Sequence, residues 1–192
     1  MRAWKFLDAG AVGPVSRRRW VPGQWVSAPA GERICACRIG DLPRWVRAEL
    51  WTFELDGAVS EHPMHIEAPR ARLGERVEAW DAAAQRDFTA DCLRRLLAEA
   101  RSGASAPVAA ALASATDAPS TLAALDALEA GRALLEPGSP ADHLREVVLT
   151  QAAPIVCAYI TANAYRKSPR PGAVAAEIAA QARFIAERCG LG

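Results

Sequence analysis

The chain has 192 residues, 51% of them hydrophobic, and 23 Lys and Arg against 22 Asp and Glu leave a formal charge of +1. That length supports one good core or two small ones, so the fold needs neither metal nor disulfides merely to hold. The even charge excludes the basic excess or stripe of a dedicated nucleic-acid binder, and no window reaches the roughly 18 to 20 apolar residues of a membrane span.

The opening "MRAWKFLDAGAVGPV" is broken by Lys5 and Asp8 and makes a poor secretory signal. Five cysteines without framework spacing fit a reducing cytoplasm better than a disulfide scaffold. Arginine supplies all but two of the basic residues and alanine dominates the second half, a composition of high-GC bacterial genomes.

All six tryptophans fall within the first 80 residues, and an Ala/Leu-rich series of helical patterns follows. Two textures result: a Trp-rich region over 1–101 and an Ala-rich helical region over 102–192, expected to share one core. Within the first, β-branched and aromatic residues between Gly/Pro punctuation predict strands at Trp4–Leu7, Gln24–Ala28 and Arg33–Arg38. In "GDLPRWVRAEL", Asp41 suits an N-cap and Pro43 a first turn. Leu42, Trp45 and Val46 share a face, so a short helix is expected. Alternation in "LWTFELDGAVSE" with the Asp56-Gly57 turn dipeptide predicts a hairpin.

A long helix is expected from Asp81 to about Ala100, its apolar stripe running through Ala84, Phe88, Cys92, Leu93, Leu96 and Leu97, with Ser102-Gly103 as the stop. The segment from Ser102 to Ser120 reads as a loosely packed helix or a linker. "STLAALDALEAGRALL" is a helix with Gly131 inside it. Ser139 and Pro140 open another that Pro154 should kink. A last amphipathic helix runs through Ile178, Phe184, Ile185 and Cys189 to Gly190. The fold class is α+β: a small, mainly antiparallel sheet with a short helix, then a helical C-terminal part.

The stretches "WKFLDAGAVGPVSRRRWVPGQWV", "ICACRIGDLPRWVRAELWTFELDG", "APRARLGERVEAWD" and the ending "AYITANAY…QARFIAERCGLG" resemble a family of actinobacterial proteins with no assigned activity. The likeness covers most of the chain and is densest in the first 90 residues. Family members read Gly-Ile-His-Ala-Cys where this chain has Arg33-Ile34-Cys35-Ala36-Cys37, and usually Lys near His65. The resemblance implies no reaction, but it singles out Cys35 as standing where a histidine is usual.

Side chains two apart on a strand share a face, so Cys35 and Cys37 should point the same way. With His62 and His65 of "EHPMH" they offer a Cys2His2-like metal set, although Cys-x-Cys and His-x-x-His match no usual zinc knuckle. Alternatively Cys35 is a nucleophile or acid/base group with His65 as partner. Against both stands "ICAC" as an ordinary buried strand, since free cysteine behaves as a small hydrophobe. Glu54, with Asp56 on the polar face of its strand, could move protons if that face meets a cleft; otherwise it is solvated. Arg17-Arg18-Arg19 could hold a phosphate or carboxylate, or form a solvated loop. Trp20, Trp25, Trp45 and Trp51, with Arg38, are candidate ligand-binding residues, or else the large side chains a small sheet needs.

Three functions remain open on the sequence. The first is an enzyme of accessory or specialised metabolism acting on a small molecule, with Cys35, His65 and Glu54 as catalytic candidates. The second is a non-catalytic ligand- or protein-binding module, its C-terminal helices able to form a homo-oligomer. The third is a metal protein through Cys35, Cys37, His62 and His65. Beyond that metal ion no cofactor is implied, and neither nucleic acid nor membrane is expected as a partner.

Overall fold

A computed structural model describes residues 1–103, 105–130, 139–149, 154–167 and 171–192. The chain is an α+β protein with its strands N-terminal and its helices mostly C-terminal. It divides into two compact units, Met1–Ala84 with Ala182–Gly192, and Gln85–Gln181. The change of texture at residue 101 falls inside a helix, Ala82–Gly103.

The first unit holds seven strands: β1 (Arg2–Leu7), β2 (Trp25–Ser27), β3 (Ile34–Ala36), β4 (Glu49–Asp56), β5 (Ser60–His62), β6 (His65–Ala68) and β7 (Arg70–Arg76). They form a four-stranded sheet ordered β1-β4-β7-β2 and a three-stranded sheet ordered β3-β6-β5, with every pairing antiparallel. Alternation turns one face of each strand inward. Ala3 and Leu7 of β1, Phe53 and Leu55 of β4, Ala71 and Leu73 of β7, Ile34 and Ala36 of β3, and Ile66 and Ala68 of β6 make one apolar core. Burying a side chain such as Phe53 or Leu73 contributes about 1.5–3 kcal/mol. On the other face of β1, Phe6 meets Trp80 edge-on at 5.4 Å between ring centres.

The strands expected at Trp4–Leu7, Gln24–Ala28 and Arg33–Arg38 are present as β1, β2 and β3, each within a few residues. Asp56-Gly57 turns the chain, with Gly57 at φ +86°, but it closes no hairpin. Strand β4 pairs with β1 and β7, while the chain beyond Gly57 enters the other sheet as β5. The tight hairpin is β5–β6, whose last pair is His62 with His65 around Pro63-Met64. Strands β6 and β7, where no strand is expected, are one extended run divided at Pro69. Proline has no N–H for a ladder, and the Pro69 carbonyl instead accepts from the Ala28 amide at 2.8 Å.

The helix expected after Asp41 is a 3-10 turn, Ile39–Arg44. Asp41 is buried inside it rather than standing before it, and its carboxylate takes the Arg38 guanidinium Nε–H at 2.8 Å and the Arg38 amide at 3.2 Å. Leu42 and Val46 are buried, as their spacing requires.

The second unit comprises helices: most of α1 (Ala82–Gly103), then α2 (Ala106–Leu112), α3 (Ala118–Ala130), α4 (Pro140–Leu149), α5 (Pro154–Ala164) and the first half of α6 (Ala173–Cys189). The stripe of α1 is buried as its period demands, with Phe88, Cys92 and Leu96 at 0% exposure. The segment left open between helix and linker contains α2 and the start of α3. Ser139 caps α4, its Oγ accepting the Asp142 amide at 3.2 Å. Pro154 stands at the first position of α5, where its missing N–H costs nothing, and the residues joining α4 to it lie outside the described residues, as does Gly131. A buried ion pair ties α1 to α6: the Arg95 guanidinium reaches both Glu177 carboxylate oxygens at 2.9 and 3.1 Å, and Gln181 donates to Glu177 at 2.8 Å. Among the described residues, no helix is long and apolar enough to cross a membrane.

Candidate functional site

The first unit encloses a cavity of about 560 Å³ whose lining includes Lys5, Trp20, Cys35, Cys37, Trp45 and His65. One side is the segment after β1. There Gly10 and Ala11 both adopt left-handed backbone, φ +79° and +59°, which turns their N–H groups toward the buried Glu49 carboxylate at 3.0 Å each. Pinned at that point, the chain continues through Gly13, Pro14, Val15 and Arg18 along the cavity. It returns at Trp20, buried edge-on against Phe53 at 5.0 Å.

The opposite wall is the small sheet. Ile34 and Ala36 turn to the core and Cys35 to the other face. Register sets Cys35 beside Glu67, and the thiol donates to Glu67 Oε1 at 3.3 Å. Two residues earlier on the same face of β6, His65 Nε2 lies 2.9 Å from the same oxygen. His62, paired with His65 across the hairpin, places its Nε2 3.2 Å from Glu67 Oε2, and the two imidazoles stack with ring centres 4.7 Å apart. Glu67 is thus the hub of a thiol and two histidines. Trp45 buttresses the group edge-on to His65 at 6.1 Å, held by its own Nε1–H on the Met64 carbonyl at 2.9 Å.

Lys5 sits at the core-facing position of β1 between Ala3 and Leu7. Its ammonium donates to the Cys35 carbonyl and lies 5.3 Å from the Phe53 ring centre and 5.9 Å from that of Trp20. Burial pulls the Lys5 ammonium below its usual range, against the pull of the Cys37 and Cys35 thiols. The Cys35 thiol is raised by burial first and by its bond to Glu67 second, with Lys5 opposing. Glu67 is held below the usual carboxylate range chiefly by its hydrogen bond from His65 and then by that from Cys35. At rest the group is therefore a protonated thiol donating to a carboxylate.

No family model, curated protein or solved structure matches the chain.

The structure brings together Cys35 and His65 of the catalytic candidates and leaves Glu54 apart. The Glu54 carboxylate faces solvent and pairs with Arg72. Trp20 and Trp45 of the aromatic candidates line the cavity. Trp25 lies under the Arg70 and Arg72 guanidinium groups, 4.7 and 5.0 Å from its ring centre. Trp51 gives its Nε1–H to Glu49 at 3.0 Å, and Arg38 is held by Asp41 and Glu61. Of the metal candidates, Cys35 and His65 have donor atoms that meet, together with Glu67; His62 stacks on His65 and reaches Glu67 Oε2 from outside that group, and Cys37 is buried, with its backbone bridged to Trp4.

Two residues escape a reading of the sequence. Glu67 becomes visible only once β6 is a strand, for it then shares a face with His65. Lys5 carries a local signal, the one charge in the inward series Ala3, Lys5, Leu7.

Proposed function

We propose that the chain is a cytoplasmic enzyme of accessory or specialised metabolism, and that the cavity of its first unit takes a small molecule with an apolar body and an acidic group. The observation that carries this reading is the meeting of Cys35 and His65, through Glu67, on the wall of one mostly apolar cavity. Concave apolar sites with a few convergent polar groups are where small ligands bind. The charged lining favours an anion: Lys5, Arg18 and Arg33 against Glu32. Arg18 forms no ion pair among the described residues, while its neighbour Arg17 is taken up by Asp8 at 3.1 Å.

Glu67 is the acceptor for the thiol proton when Cys35 reacts, Lys5 favours the resulting thiolate, and His65 with His62 orients the carboxylate. Five free thiols suit a reducing compartment. The actinobacterial resemblance belongs to the same proposal, and it implies that both Cys35 and His65 are this chain's own choice at positions where relatives carry other groups.

The test is alkylation of Cys35 by iodoacetamide, read by peptide mass, across a panel of aromatic and aliphatic carboxylates. Compounds that raise the melting temperature should slow Cys35 labelling, and Arg18→Ala should weaken both effects at least threefold. A panel in which no compound protects Cys35 removes the reading.

A second reading, a non-catalytic binding module, is favoured by the raised thiol, which holds Cys35 in its less reactive form. Compounds of the panel that protect Cys35 and are recovered unchanged after prolonged incubation with the protein would decide for it. Association through the C-terminal helices would use the exposed Val156 and Tyr159 of α5, and light scattering after size exclusion reads it as a dimer mass.

A further inference from the structure

We propose that Cys35 Sγ, His65 Nε2 and Glu67 Oε1 are the protein ligands of a divalent cation of borderline softness, zinc in the first instance, with its fourth position open to the cavity. The three donor atoms all lie within 4.8 Å of one another. They come from paired strands, so backbone register rather than a flexible loop sets their spacing. Zinc bond lengths of about 2.0–2.3 Å at tetrahedral angles place neighbouring ligand atoms about 3.4–3.6 Å apart. The observed separations from Glu67 Oε1 are 3.3 Å to the thiol and 2.9 Å to the imidazole, so loading requires side chains to spread by about half an ångström, within rotamer freedom.

Thiolate, imidazole and carboxylate together select zinc-like ions over magnesium or calcium, which prefer all-oxygen sets. On loading, the thiol proton leaves to solvent, and the neutral imidazole carries its single proton on Nδ1. Thiolate and carboxylate then balance the charge of the ion. His62 stays on Glu67 Oε2 at 3.2 Å and fixes the carboxylate from outside, as metal-site carboxylates are commonly fixed. Three protein ligands with one open position is the arrangement of catalytic rather than structural zinc. That open position deepens the enzyme reading above and rests on it for its use: with the ion bound, Cys35 and Glu67 serve as its ligands in place of their roles as nucleophile and proton acceptor, and a substrate anion in the cavity would reach the ion directly. The ligand set also differs from the Cys2His2-like one the sequence suggests: Cys37 and His62 drop out of it and Glu67 enters.

The experiment uses the full chain, stripped with a chelator and titrated with cobalt(II). One equivalent should bind with a thiolate-to-cobalt charge-transfer band that zinc then abolishes by displacement. Cys35→Ser should lose the band, Glu67→Gln should weaken binding at least tenfold, and Cys37→Ser should leave both unchanged. No band at one equivalent, or a band that survives Cys35→Ser, overturns the proposal. If Cys35→Ser fails to fold by circular dichroism, paramagnetic shifts of the His65 ring protons in the unsubstituted chain decide it: shifted resonances support the site and unshifted ones remove it. Cobalt binding needs no cavity ligand, so a metal site without ligand protection of Cys35 removes the enzyme reading alone, and the converse removes the metal alone.

Discussion

Glu49 is a buried carboxylate spent on architecture. Burial alone would raise its pKa, but the Gly10 amide, the Trp51 indole and the Ala11 amide outweigh that and hold it below its ordinary 4.5. A depressed carboxylate contributes stability above its unfolded pKa, and that contribution is lost as pH falls through the folded value. Glu49→Gln should therefore cost about 1–3 kcal/mol at neutral pH. It should also flatten the fall of stability below pH 4.5, read by urea melts at several pH values. A variant with the parental acid limb would show that the carboxylate is not what holds residues 10 and 11. The residues of the candidate site were unequally visible in the sequence. Cys35 and His65 stand out by type alone. Glu67 does not, because a glutamate is one of many and only its register opposite Cys35 distinguishes it. Trp25 and Trp51 were drawn in as ligand-binding candidates by type in the same way, and the structure gives them other partners.

The elements divide by how local their causes are. The helices of the second unit were readable in part: α1 and α4 are written in adjacent residues by period and by the Ser139 cap, whereas α2 lies in the segment left open between helix and linker, and α4 and α5 are expected as one helix kinked at Pro154. The hairpin at Asp56-Gly57 was misplaced because the dipeptide specifies a reversal and not the strand that receives it. Here the reversal delivers the chain to the other sheet. Gly57 is required there twice over: at φ +86° a side chain is strained, and a Cβ would come 2.7 Å from Pro69 Cγ. Pro69 marks the return crossing, so one contact guards both passages between sheets. Gly57→Ala should destabilise the fold by about 1–3 kcal/mol, seen as a shifted urea midpoint with unchanged slope. An unshifted midpoint would mean that the turn relaxes freely. Strand β7 was missed because Arg70–Arg76 has no β-branched or aromatic residue; its place between β4 and β2 comes from pairing, which sequence-local propensity does not contain.

At the scale of the whole molecule the cysteines give a check on the described burial. Cys37, Cys92 and Cys157 are buried, and Cys35 and Cys189 are half-buried. Burial pushes the Cys37 thiol from 9.0 up to about 12 and that of Cys189 to about 11. A raised thiol contributes stability below its unfolded pKa and loses it as pH rises through the folded value, so an alkaline decline in stability should set in between pH 9.0 and about 12. At pH 8, Ellman's reagent should modify two thiols slowly in the native chain and all five after denaturation; a third thiol modified in the native chain would contradict the burial. The cavity itself has a division of labour. The wall bearing Cys35 and His65 is fixed by strand ladders, while the lip from Gly13 to Arg18 hangs from backbone bridges at Val12 and from the Glu49 anchor. Substitutions between Pro14 and Arg18 touch no ladder hydrogen bond, so the entrance of the cavity can change without disturbing the strands that set Cys35 beside Glu67. In such a scaffold the doorway is free to vary while the back wall is kept.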